Sequence, residues 1–82
     1  METKIYKIIK EVDGNHLVKY RQFTIDLIES CVEVVSNDDV NEETMVGAVS
    51  YQIDTALEIM DKELDDYIFL KELLTKIQEA YK

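Results

Sequence analysis

Eighty-two residues make one small domain, residues 1–82, and a chain of this size buries only about 60% of its unfolded surface. Eighteen acids against nine bases give a formal net charge of −9, while 46% of the residues are apolar. That balance argues against wholesale disorder, and against direct contact with nucleic acid, whose phosphates require Lys and Arg. The longest uncharged stretch, Thr44 to Ile53, is about half a membrane span, so no membrane helix is expected.

The charge is unevenly placed. Residues 1–21 hold five Lys/Arg against three acids, residues 22–66 hold thirteen acids against Lys62 alone, and residues 67–82 hold three Lys against two Glu. The middle segment therefore carries −12, a field that attracts basic partners and speeds their association. The single Cys31 cannot close an internal disulfide, and the start Met1-Glu2-Thr3-Lys4 lacks the apolar run of a secretory signal. Both features point to a cytoplasmic protein.

In chain order, Ile5, Ile8, Ile9 and Val12 recur at helical spacing, with Lys4, Lys7 and Lys10 on the other side, so a first helix of about 11 residues is predicted. Asp13-Gly14-Asn15 is expected to break it. An alternative pairs residues 5–12 with 17–20 as a β-hairpin about the Asp-Gly turn. Asp13 or Asn15 caps a second helix of about 21 residues running to Ser36. Its core face is Leu17, Tyr20, Thr24, Leu27, Ile28, Cys31 and Val35, with Asp26, Glu29 and Glu33 opposite.

Residues 36–39 form a turn, and Asp39-Val40-Asn41-Glu42 fits a capping box for a third helix of about 20 residues. Val46, Val49, Ile53, Ala56, Leu57, Met60 and Leu64 make its stripe. One helix from 42 to 81 would run about 60 Å, too long for a compact domain of this size. The stripe of 46–64 also points about 110° away from that of Phe69, Leu70, Leu73, Leu74, Ile77 and Tyr81. A turn or kink is therefore predicted within 61–66, with Asp65 or Asp66 capping a fourth helix of about 16 residues. The expected fold is all-α, a small antiparallel bundle of four short helices. Three helices with one long kinked C-terminal arm is the close alternative.

No specific catalytic motif occurs. The lone His16 has no Cys, second His or Glu-x-x-His partner for a transition metal, and Cys31 has no base close in sequence. Asp26-Leu27-Ile28-Glu29 and Glu58-Ile59-Met60-Asp61 are two acid-x-x-acid pairs. This pattern resembles the paired acidic motifs of the all-α nucleotide pyrophosphohydrolases of the MazG type, and that resemblance implies Mg²⁺-dependent hydrolysis. It covers four residues, and Asp26 departs from the family's usual Glu. Asp26 and Glu29 also lie opposite the core stripe of their helix, whereas bundle metal ligands point inward. No metal, cofactor or catalysis is expected.

The surface is more informative. Asp54, Glu58, Asp61 and Asp65 stand at i, i+4, i+7 and i+11 and form one acidic ridge on a continuous helix, joined by Asp38, Asp39, Glu42 and Glu43. These are the expected docking residues for a basic protein surface, such as that of a nucleic-acid-binding protein, in an inhibitor, adaptor or antitoxin-like regulator. Val18, Ile25 and Val32 recur every seven residues beside the second helix's core stripe, and Tyr51 projects from the third. These apolar positions suit a helix-to-helix contact with a partner or a second copy. A structural or oligomeric module, a homodimer for example, is the competing expectation.

Overall fold

A computed structural model describes residues 3–15 and 20–82, the side chains of 14 and 15 excepted. They form four helices, α1 (Lys4–Asn15), α2 (Gln22–Val35), α3 (Glu42–Ile59) and α4 (Asp65–Ala80), with no strand among the described residues. The hairpin alternative is thereby overturned, and so is the three-helix one, because the chain leaves helical geometry from Met60 to Leu64. The four-helix bundle stands. None of the described helices is long and apolar enough to cross a membrane.

Three of the four helices start on an identifiable side-chain partner. Thr3 precedes α1 and its Oγ1 accepts from the Tyr6 N–H at 3.2 Å, satisfying one of the donors that a helix start leaves open. A second, the Lys4 N–H, donates to Glu42 Oε1 at 3.3 Å, tying the start of α1 to the start of α3. The Lys4 ammonium donates to the Ala80 carbonyl at 2.9 Å and lies 5.2 Å from the Tyr81 ring centre, which closes the bundle end on the last carbonyls of α4. Asn41 caps α3, accepting from the Thr44 N–H at 2.8 Å. The predicted capping box is therefore displaced from Asp39: the Asp39 N–H instead donates to Asn37 Oδ1 at 2.9 Å inside the turn.

Two boundaries differ from expectation. The first helix runs through Asp13-Gly14-Asn15, since one glycine costs a helix only about 1 kcal/mol and Val12 is already fully buried there. The second helix starts at Gln22, so Tyr20 precedes it, with its ring stacked on Phe69 at 4.6 Å between centres. Leu17, with His16 and Val18, lies outside the described residues.

The core is continuous across all four helices. It takes Ile5, Ile9 and Val12 from α1, Ile28, Cys31 and Val35 from α2, Met45, Val49, Ile53, Ala56 and Leu57 from α3, and Phe69, Leu70, Leu73, Leu74 and Ile77 from α4. The predicted stripes hold with a small rotation at the start of α3, where Met45 is buried and Val46 half-buried, except that Leu64, expected on the α3 stripe, is the half-buried N-cap of α4. Leu27, Met60 and Tyr81 are packed on the core rather than enclosed by it. Closest packing joins α1 to α4, α4 to α3 and α3 to α2, whereas α1 and α2 touch sparsely. Among the described residues the bundle, 35 × 21 × 20 Å, is thus packed least tightly along its α1/α2 side.

Candidate functional site

The acids proposed from sequence are all exposed, but their surroundings sort them into groups. Glu42 and Glu43 occupy the first turn of α3 and Asp65 the first turn of α4, where carboxylates complement the helix dipole. Asp38 and Asp39 lie in the turn before α3. Asp61 lies in the turn before α4 and accepts from the Glu63 N–H at 2.9 Å. The continuous ridge is thereby broken: α3 ends at Ile59, so Asp61 and Asp65 leave the line begun by Asp54 and Glu58. The i, i+7, i+11 spacing belonged to a helix that stops short of it.

Asp54 and Glu58 remain as a true i, i+4 pair. They sit in the C-terminal half of α3, which has no base in its last turn. Like charges at this spacing repel by a few tenths of a kcal/mol, and an anion near a helix C-terminus opposes the dipole. Neither side chain makes a hydrogen bond or ion pair among the described residues. Asp54 also lines a shallow hollow of about 240 Å³ between α3 and α4, with Ser50, Tyr51, Leu74 and Gln78. The structure thus brings together two residues singled out separately, the acid Asp54 and the 73% exposed Tyr51.

Asp66 behaves oppositely. It is only 4% exposed, although it belongs to the same acidic segment. Its Oδ2 accepts from the Thr24 hydroxyl at 2.6 Å and from the Arg21 N–H at 3.0 Å. Arg21 and Thr24 are the N-cap and third residues of α2, and Arg21 supplies no side-chain cap. A carboxylate from α4 thus accepts the N-cap N–H of α2, the half of a capping box that a Glu or Gln at the third position of α2 would otherwise supply. Burial alone would push the Asp66 pKa up, but the bonds from Thr24 and Arg21 outweigh it and hold the pKa below the ordinary carboxylate range. The expectation that Asp65 or Asp66 caps α4 is corrected accordingly: Leu64 is the α4 N-cap, without a side-chain bond, and Asp66 caps α2.

Ile25 and Val32 line a groove of about 350 Å³ between α1 and α2. Ile9 and Ile28 form the rest of its apolar lining, and Lys10, Asp13, Tyr20 and Glu29 border it. Val18, the third member of that heptad series, falls outside the described residues.

The two acid-x-x-acid pairs do not converge. Asp26 and Glu29 are exposed on α2, Asp26 accepting from Gln22 Nε2 at 2.8 Å, while Asp61 has left α3 altogether. Among the described residues no three acidic, His or Cys side chains gather in a metal-holding arrangement. Cys31 is fully buried, and burial raises its thiol pKa to about 11, which suppresses the thiolate needed for nucleophilic attack. Desolvation, assisted by Asp13, Asp66, Glu72 and Asp65, raises the Tyr20 hydroxyl to about 12.

Phe23 and Ile68, 49% and 55% exposed, were not anticipated. The Ser30 hydroxyl donates to Gln52 Oε1 at 3.1 Å across the antiparallel α2/α3 seam. Seven residues from each brings Phe23 level with Ile59, which is 74% exposed. A wheel drawn from residue 22, where α2 begins, would have placed Phe23 on the flank facing α3. Comparison of the chain with protein-family models, with curated proteins and with solved structures gave no match.

Proposed function

We propose that this chain is a non-catalytic, cytoplasmic binding protein whose acidic surface docks a basic surface of another macromolecule, as an inhibitor, adaptor or antitoxin-like regulator does. One observation carries the reading: Asp54 and Glu58 are exposed, one helical turn apart and without a partner among the described residues, and Glu58 lies in the last turn of α3, where helix electrostatics opposes an anion. Acids at Glu42, Glu43, Asp65 and Asp66 contribute to helix starts, and Asp61 to a turn. Asp54 and Glu58 contribute nothing comparable, so positive charge from outside the chain is the simplest reason for them. Tyr51 beside Asp54 adds an aromatic face on which a lysine or arginine stacks while pairing with the carboxylate. A basic, nucleic-acid-binding surface fits this chemistry. A single buried thiol suits a reducing compartment.

The test is charge reversal. A partner captured from host lysate at about 50 mM salt should release by about 500 mM. The Asp54→Lys/Glu58→Lys variant, with helicity unchanged, should bind it at least about tenfold more weakly, mainly through slower association. Unchanged affinity and salt dependence would reject the reading. A second reading, an oligomeric structural module, is favoured by the exposed Phe23, Ile59 and Ile68. A dimer mass in solution that falls to monomer on Ile59→Ser would establish it instead.

A further inference from the structure

We infer that the groove between α1 and α2 is a second docking surface, built to receive the apolar face of a cationic amphipathic helix from another polypeptide. The inference rests on the same acidic-docking reading, but it concerns the opposite side of the bundle from Asp54 and Glu58. Here α1 and α2 pack sparsely, and a concavity of about 350 Å³ opens between them. Its apolar lining is continuous with the core, since Ile9 and Ile28 are core residues and Ile25 and Val32 rise from them toward solvent. Ile25 and Val32, seven residues apart, stand one above the other along α2, about 10 Å apart at 1.5 Å per residue. That is the spacing at which a facing helix offers side chains at i, i+3 or i+4, and i+7.

Charge selects the occupant. At 100° per residue, Glu29, Glu33 and Asp26 follow Ile25 and Val32 around α2, so an acidic flank rises directly beyond the apolar one. Helix α2 contains no Lys or Arg at all. On the α1 side Asp13 adds a further acid, against Lys10. A second copy of this chain would bring its own α2 acids against these and be repelled, and an anionic membrane or nucleic acid would be repelled likewise. An amphipathic helix with Leu-like residues on one face and Lys or Arg beside them meets both the groove and its flank.

The probe is a synthetic Leu/Lys peptide of about 18 residues with leucines at i, i+3, i+4 and i+7, alongside a scrambled peptide of identical composition. Backbone amide NMR shifts and titration calorimetry on the full chain give site and affinity. The patterned peptide should bind at least about tenfold more tightly than the scrambled one, and its shifts should centre on Ile9, Ile25, Ile28 and Val32. Ile25→Ser with Val32→Ser should abolish that preference. Glu29→Gln, which leaves the apolar lining intact, should weaken binding at about 50 mM salt and change it little at about 500 mM. Equal binding of both peptides, or shifts confined to Asp54 and Glu58, would overturn the groove inference while leaving the acidic-docking reading in place. No binding of either peptide at low salt would remove both. A dimer in solution that Ile25→Ser dissociates would assign the groove to a second copy instead.

Discussion

Asp66 and the pair Asp54/Glu58 lie within thirteen residues of one another in the same acidic stretch, yet the fold uses them in opposite ways. Asp66 is enclosed, accepts two hydrogen bonds and joins the starts of α2 and α4. Asp54 and Glu58 are exposed in the C-terminal half of α3 and repel one another, and Glu58, in the last turn, opposes the dipole. Net charge alone therefore says little about function. What distinguishes a working carboxylate from a surplus one is whether donors inside the chain already meet it.

The largest expected effect is at Asp66. Asp66→Ala leaves the Arg21 N–H and the Thr24 hydroxyl without their acceptor and should cost about 2–3 kcal/mol in denaturant unfolding; Asp66→Asn keeps an acceptor and should cost about 1. Because the folded carboxyl has a lowered pKa, its stabilisation is present above the unfolded value of about 3.9 and is lost as pH falls through the folded one. The wild type should lose stability over that acid range and the Asn variant should lose less. A flat comparison between the two would mean that the charge of Asp66 does not matter.

Cys31 gives the scale for an ordinary core position on the same helix. Cys31→Ala should cost about 1 kcal/mol, and native protein should react with thiol reagents far more slowly than unfolded protein. Equal labelling rates would place this face of α2 at the surface. Smaller still is the effect at Asp65, the first residue of α4, which follows an extended Leu64 at φ −73° and ψ 142°. Proline suits both settings, so Asp65→Pro should change stability by less than about 0.5 kcal/mol, whereas Asp66→Pro should resemble Asp66→Ala. Equal costs at the two positions would show that the turn, not the carboxylate, governs this junction.

Much of the fold was legible because burial follows helical period. Ile5, Ile9 and Val12, Cys31 with Val35, and Val49, Ile53 and Leu57 all lie on the faces their spacing indicates, and the shift in stripe direction after Leu57 located the turn near 61–66. Boundaries were harder, since they depend on contacts between distant segments. Nothing near Arg21 announces a helix start, because the side chain that supplies the cap lies 45 residues away. The acidic ridge failed for a related reason: a wheel extends any helix indefinitely, while this one stops at Ile59. The groove was legible only as the heptad of Ile25 and Val32, because its other wall comes from α1.

The central claim is that Asp54 and Glu58 serve something outside the fold, and neutralising them tests it most directly. The double variant Asp54→Asn/Glu58→Gln keeps size and shape while removing the repulsion and the clash with the dipole. Measured by urea unfolding at low salt, it should be more stable than wild type by a few tenths of a kcal/mol, with the gain vanishing at about 500 mM salt. A loss of about 1 kcal/mol or more would show that these carboxylates hold the bundle together and would contradict the account.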